Sequence, residues 1–200
     1  PNELIVCDDG STNDTLSILK KFNESSPFTV KMYCNRLRLG PTKNFEQAIQ
    51  LCNGDIIFLS DQDDVWLPDK VSVTKKYLLE SDVKLVVSDA IVVDENLKVL
   101  EDSFFKLMNS GSGFIKNFIK NTYHGCCMAF LKELKEVILP FPKNIPMHDS
   151  WIGLMAELYG KVLFIPEKLI YYRRHQNNAT VLKRESLRKS LIWRKNLAVA

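Results

Sequence analysis

This 200-residue sequence predicts an α/β fold around a mixed, mainly parallel sheet, and two occurrences of one local pattern carry the prediction. Leu4-Ile5-Val6-Cys7 runs into Asp8-Asp9-Gly10-Ser11, and Ile56-Ile57-Phe58-Leu59 runs into Ser60-Asp61-Gln62-Asp63-Asp64. Each is an apolar run of strand length that ends in carboxylates at a turn, and helix-period segments separate the two. Strands joined through helices lie parallel and open a ligand crevice beyond their carboxyl ends, so both acid clusters are expected at one sheet edge. The length and a 46% hydrophobic content suit one sizeable core, hence one domain over residues 1–200.

The elements follow in chain order. After the first strand, Ser11 and Asp14 resemble a capping box with aspartate in place of glutamate, and Leu16, Ile18, Leu19 and Phe22 make a mainly helical apolar face. Gly40-Pro41-Thr42 opens a second helix, with Phe45, Ala48, Ile49 and Cys52 pointing inward and Asn53-Gly54 closing it. Leu67-Pro68-Asp69 starts a third, running to Leu79. Leu85-Val86-Val87-Ser88-Asp89 reads as a buried strand, and Ile91-Val92-Val93 with Lys98-Val99-Leu100 as a hairpin about Asp94-Glu95-Asn96, which makes the sheet mixed. From Asp102 to Tyr123 the periodicity weakens, and Gly111-Ser112-Gly113 suggests a flexible loop that shapes a pocket. Asp149 is placed to cap a helix carrying Trp151, Ile152, Leu154, Met155, Leu158 and Tyr159 and closed by Gly160. Strands at Lys161–Pro166 and from Leu169 complete the body.

Asp61, Asp63 and Asp64 repel one another unless a cation neutralises them. Mg²⁺ or Mn²⁺ held by one or two carboxylates, its shell completed by substrate phosphate, fits such a cluster; a solvated acidic turn fits it too. Asp149 is readable as a simple cap, but His148 and the adjacent prolines favour a general base that a helix start holds in place. Strand alternation sends Arg173 and His175 to one side and Arg174 and Gln176 to the other, where donors can meet a diphosphate.

The formal charge of +3 is uneven: six basic residues between Lys183 and Lys195 against Glu185 make that stretch +5 and leave the remainder at −2. With Leu187, Leu191, Ile192 and Trp193, residues 181–200 read as a basic amphipathic helix that lies on an anionic membrane or packs on its own domain. Basic residues elsewhere are scattered, and no nucleic-acid-binding motif occurs. The five cysteines (Cys7, Cys34, Cys52, Cys126, Cys127) fit no zinc spacing and are expected as buried thiols, with Cys126 and Cys127 on alternate sides of a strand. No apolar run reaches the ~20 residues of a membrane span and no leader pattern opens the chain, so a cytoplasmic protein is expected.

Taken in order, Cys7-Asp8-Asp9-Gly10-Ser11, Gly40-Pro41 with Asn44, Ser60-Asp61-Gln62-Asp63-Asp64-Val65-Trp66, Gly125-Cys126, His148-Asp149 and Tyr172-Arg173-Arg174-His175 resemble family 2 glycosyltransferases of the GT-A fold, rhamnosyltransferase-like bacterial members above all. The resemblance spans about residues 3–180 and implies a three-layer sandwich. It also implies inverting transfer of a sugar from a nucleotide-diphospho-sugar donor to an acceptor hydroxyl on a saccharide or lipid-linked acceptor, in building a cell-surface polysaccharide. In that reading Asp8 and Asp9 lie by the base and ribose, Asp61 by the ribose and metal, and Asp63 on the Mg²⁺ or Mn²⁺. Arg174 and His175 assist departure of the diphosphate, with His175 a candidate metal ligand; Asp64 supports the loop, and Asp149 deprotonates the acceptor. Family members ordinarily begin with a further strand and helix that clasp the nucleotide base, whereas this sequence starts at Pro1-Asn2, before what corresponds to the second strand. An unpaired central strand is therefore expected, and with it a homo-oligomer or an altered sheet edge. A nucleotide-sugar-binding relic and a metal-dependent phosphohydrolase or phosphotransfer domain are the alternatives.

Overall fold

The computed structural model describes residues 1–175; the basic stretch at 181–200 lies outside the described residues. The chain opens with a βαβ unit. Strand β1 (Glu3–Asp8) leads through helix α1 (Thr15–Ser25) to β2 (Thr29–Cys34), and the two strands pair in parallel over six positions. Helix α2 (Pro41–Leu51) starts with Pro41 in its first turn, where a missing N–H costs nothing, and leads to β3 (Ile56–Phe58).

Then follow β4 (Val65–Trp66), α3 (Lys70–Leu78), β5 (Val83–Val93), β6 (Val99–Glu101), α4 (Phe104–Met108) and α5 (Phe114–Ile119). A 3₁₀ turn, Gly125–Cys127, feeds β7 (Met128–Leu131), after which come α6 (Lys132–Ile138), α7 (His148–Tyr159) and β8 (Lys161–Arg173). The six-stranded sheet has the order β3-β7-β5-β8-β4, with β6 paired to β5.

Why β5 is buried along nearly its whole length follows from the period of two. Leu85 and Val87 join a core with Ile49, Met128, Leu134, Ile152 and Ala156, on the side of α2, α6 and α7. Val86, alternating with them, joins Leu78, Ala129, Ile165 and Leu169 on the side of α3, and Val83 reaches the same side because the register shifts between it and Leu85. Helices thus cover both faces, which makes three layers.

The sheet is mixed, as the hairpin predicts. Within the six-stranded sheet β5–β8 is parallel, over nine registered positions; its other pairings are antiparallel and short. The expectation of one sheet carrying both acid-tipped strands is not met: β1 pairs with β2 in a separate two-stranded sheet, while β3 pairs with β7. The apolar residues Leu4, Ile5 and Val6 of β1 are accordingly only half-buried.

Two pairs of predicted strands are each one strand. β5 runs on through Ser88-Asp89, because Asp89 finds donors in Ala90, Ser103 and Phe105 and so tolerates burial. β8 runs through Pro166; its register with β5 jumps from Ile165 to Lys168, so the residue without an N–H sits in the irregularity. The weakly patterned stretch after Asp102 is not one flexible loop but two short helices flanking Gly111-Ser112-Gly113, tied by Asn117, which reaches the carbonyls of Gly111 and Gly113. All five cysteines are free; Cys34 is exposed, and Cys126 and Cys127 occupy the 3₁₀ turn with their sulfurs 4.0 Å apart rather than alternating along a strand.

Candidate active site

The acid cluster after β3 is held from three directions. The turn itself carries Asp61, Asp63 and Asp64 between β3 and β4. From the end of β8, the Arg173 backbone N–H donates to Asp64 Oδ1 at 2.9 Å, and His175 Nε2 lies 2.9 Å from Asp63 Oδ2. The first turn of α7 brings Asp149, whose charge acts on Asp61 together with those of Asp64 and Asp63. Burial, reinforced by these three neighbours, pushes the Asp61 carboxyl up to about 7.

Asp149 is buried in the first helical turn, and burial pushes it up to about 6. The N–H of Ser150 at 2.6 Å and the Asn121 amide at 3.3 Å oppose that shift. It is not the N-cap: α7 begins at His148, with the extended residue Met147 before it. His148 stacks on Phe45 with ring centroids 3.9 Å apart and is pushed down to about 3 by burial, hence neutral. A Cβ on residue 125 would stand 2.7 Å from His148 Nε2, which is why a glycine belongs there.

Beneath the cluster lies Lys70, one of the most buried residues of the chain. Its ammonium donates to the Cys126 carbonyl at 2.9 Å and sits 4.7 Å from the centre of the Trp66 ring. Burial lowers its pKa, and the charge of Asp64 opposes that lowering. Cys126 connects this floor to the acids: its sulfur and one oxygen each of Asp61 and Asp64 lie within 4.8 Å of one another. The hydrogen bond to Cys127 and burial both raise the Cys126 thiol, and a protonated thiol is a poor ligand. What remains for a cation is a set of carboxylate oxygens, hard donors of the kind Mg²⁺ and Mn²⁺ take, whose mutual repulsion Lys70 and the Arg173 N–H offset only at Asp64 and His175 at Asp63. The residues therefore fit a divalent ion.

Asp8 and Asp9 are different. Asp8 Oδ2 accepts the N–H groups of Gly10 and Ser11 at 3.2 and 3.0 Å, and its Oδ1 accepts the Ser11 hydroxyl; that hydroxyl is the main reason Asp8 titrates below the ordinary carboxylate range. Ser11 is thereby taken up by Asp8, and the predicted capping box does not form; the Asp14 side chain makes no cap bond either. Asp9 receives Leu39 N–H at 2.7 Å, Gly40 N–H at 2.8 Å and the Asn35 amide at 2.9 Å; despite partial burial, these donors hold it low. Asn35 also donates to Asn44, which donates to the Cys7 carbonyl at 2.8 Å and closes the knot.

Of the residues singled out from sequence, the structure gathers Asp61, Asp63, Asp149 and His175, and ties Asp8 and Asp9 into loop bonds of their own. Arg174 donates to the Tyr172 hydroxyl at 3.1 Å, and with His175, Asp94 and Glu95 it lines an open depression beside the cluster. Asn121, Lys70 and Asn35 escaped sequence reasoning. An asparagine after a helix and a lysine in an amphipathic one carry no signal until their partners are known.

The sequence model of the family described as Glycosyl transferase family 2 matches residues 1–139. A dTDP-rhamnosyl transferase, RfbG of Shigella flexneri, is 28% identical over 193 residues, covering 88% of this chain and 63% of its own length. An uncharacterized glycosyltransferase of Nostoc sp., alr2836, is 24% identical over 184 residues, covering 88% of this chain and 56% of its own. The chain thus spans less than two thirds of the length of these relatives. Among solved structures, the mannosyltransferase PcManGT from Pyrobaculum calidifontis in complex with GDP-Man and Mn²⁺ superposes with a TM-score of 0.68 at 21% identity, over 89% of this chain and 50% of that one. S. aureus TarS 1-349 in complex with UDP-GlcNAc gives 0.67 at 20% identity, over 88% and 50%. At that identity the likeness establishes the fold, which is GT-A.

Proposed function

Because the chain belongs to glycosyl transferase family 2, we propose that it carries out inverting transfer of a sugar from a nucleotide-diphospho-sugar donor to an acceptor hydroxyl. The observation that carries the reading is the convergence of Asp149 on the Asp61-Asp63-Asp64 turn: a buried carboxylate from a helix start whose charge acts on a cluster of carboxylates suited to a cation.

Asp149 is the general base. A carboxyl raised to about 6 is ionised at neutral pH yet more basic than a surface aspartate, and the Ser150 and Asn121 bonds fix its orientation. It takes the acceptor hydroxyl proton as that oxygen forms its bond to the sugar's anomeric carbon, and the diphosphate leaves from the opposite face with the bonding pair. Asp61, Asp63 and His175 would hold Mg²⁺ or Mn²⁺, while Asp64 keeps the turn attached to β8. When bound, such an ion offsets the charge growing on the departing diphosphate. Arg174 supports that departure, and Asp8 and Asp9 shape the floor under the nucleoside. Support for a nucleotide-sugar donor comes from the neighbours that hold UDP-GlcNAc and GDP-Man.

The acceptor is a saccharide or a lipid-linked saccharide of a surface polysaccharide, met at the cytoplasmic face by a chain that associates with itself and touches the membrane through residues 181–200. Among the described residues no helix is long and apolar enough to cross a membrane. Titration calorimetry with a panel of nucleoside diphosphates, with and without Mn²⁺, tests the core of the reading. Binding of one nucleotide that strengthens with Mn²⁺ and drops about tenfold or more in Asp63→Ala is expected; binding indifferent to both would refute it.

A further inference from the structure

Between Asp102 and Glu133 the chain has no acidic residue, but it has Lys106, Lys116, Lys120 and Lys132. The same stretch exposes three large apolar side chains. Ile115 is 73% exposed and Ile119 52% exposed, one helical turn apart on α5, and Leu107 of α4 is 44% exposed. The opposite side of α5 is anchored: Asn117 is buried and bonded to Gly111 and Gly113. Lys120 Nζ reaches the Met108 carbonyl at 3.2 Å and links the end of α5 to the end of α4. Lys106 and Lys116 are exposed beside it.

Of the carboxylates flanking the stretch, Asp102 acts on both Lys168 and Lys106, and Glu157 is taken up by the segment before α5 and by Tyr123. Asp102 pairs with Lys168 at 2.6 Å, and Glu157 accepts Gly113 N–H at 2.6 Å and the Tyr123 hydroxyl at 2.9 Å. The surface is thus apolar at its centre and cationic around it. A second copy docking the same patch would set lysine against lysine, whereas an anionic bilayer offers acyl chains to the isoleucines and phosphates to the lysines.

We propose that the α4–α5 surface docks on an anionic lipid bilayer, with Ile115, Ile119 and Leu107 entering the headgroup boundary and Lys106 and Lys116 meeting the phosphates. The consequence for the site is positional. Asn121, two residues beyond α5, donates to Asp149, so docking sets the acceptor side of the crevice at the lipid surface. This surface is distinct from residues 181–200, and its lipid contact does not depend on sugar transfer.

The test uses the full chain and vesicle flotation, comparing phosphatidylcholine alone with phosphatidylcholine containing about 30% phosphatidylglycerol. Hydrogen exchange on the bound protein locates the contact. The wild type is expected to float with the anionic vesicles and to gain protection over residues 104–120. Both Ile115→Ser/Ile119→Ser and Lys106→Gln/Lys116→Gln should weaken binding about tenfold with unchanged melting, since all four side chains are exposed. Equal binding to neutral vesicles, protection confined to residues 181–200, or full binding by both double variants would overturn the proposal. So would a loss of self-association, without loss of flotation, in the isoleucine variant, which would make the patch an interface between copies.

Discussion

The two acid-tipped strands look alike in sequence and are opposites in the folded chain. At the end of β1, Asp8 and Asp9 receive six hydrogen bonds from backbone and side-chain donors and titrate low. After β3, Asp61 and Asp64 are half-buried beside other carboxylates, and burial pushes both up, at Asp64 against the Cys126 and Arg173 bonds and the charge of Lys70. The first pair is a finished structural knot; the second keeps Asp61 among like charges that raise it. The lesson is that a carboxylate cluster is read by its donors, since burial acts on both pairs and the hydrogen bonds decide the sign.

The strongest way to sharpen the contrast is Asp149→Asn. The amide keeps the shape and the Asn121 neighbourhood but cannot take a proton, so transfer should fall about 10²–10⁴-fold with donor affinity retained. The wild-type rate should in turn fall as pH drops through about 6. A variant with full turnover, measured by sugar release from a labelled donor, removes Asp149 from the chemistry.

Asp9→Ala attacks the satisfied side. It strips an acceptor from Leu39 N–H, Gly40 N–H and the Asn35 amide together, and should cost about 2–3 kcal/mol in urea unfolding at neutral pH. Because the folded pKa lies below the unfolded one, Asp9 stabilises above the unfolded pKa, and that contribution fades as pH falls through the folded value. A neutral substitution would mean the knot is decoration.

Asp61→Asn should do the reverse. A folded pKa of about 7 against an ordinary 3.8 means the carboxyl is tolerated while protonated, and stability is lost as pH rises from about 4 through 7. The variant should therefore melt higher at pH 8, by about 1–2 kcal/mol allowing for partial solvent screening, and match the wild type near pH 4. Mn²⁺ should raise the melting point of the wild type above pH 7 and of Asp61→Asn far less; equal effects on both would place the ion elsewhere.

How much of this was legible in sequence depends on whether the deciding partner is near in the chain. The apolar runs of β1, β3 and β5 and the proline start of α2 are local signals and were readable. That β3 pairs with β7 was not, because the partner lies some seventy residues on and many apolar strands compete for the place. The carboxylates themselves were legible as a type, but donors such as Leu39 and Gly40, or their absence around Asp61, exist only in the fold. Lys70 shows the limit: an exposed helix position and a buried charge against Trp66 and Cys126 are written identically.

The smallest test separates a local reading from the observed one at the entrance of α1. If Ser11 and Asp14 formed a capping box, removing either would fray the helix by a similar amount. Instead Ser11 donates to Asp8, and Asp14 makes no side-chain cap bond. Ser11→Ala should then cost about 1 kcal/mol, and raise the Asp8 pKa seen by carbon-detected titration, whereas Asp14→Ala should be nearly silent. Because Asp8 is held low in the fold, the charge-linked part of the Ser11 cost must fade as pH falls through the lowered Asp8 value. Equal and pH-independent losses in both variants would return Ser11 to the helix and leave the β1 knot one donor short.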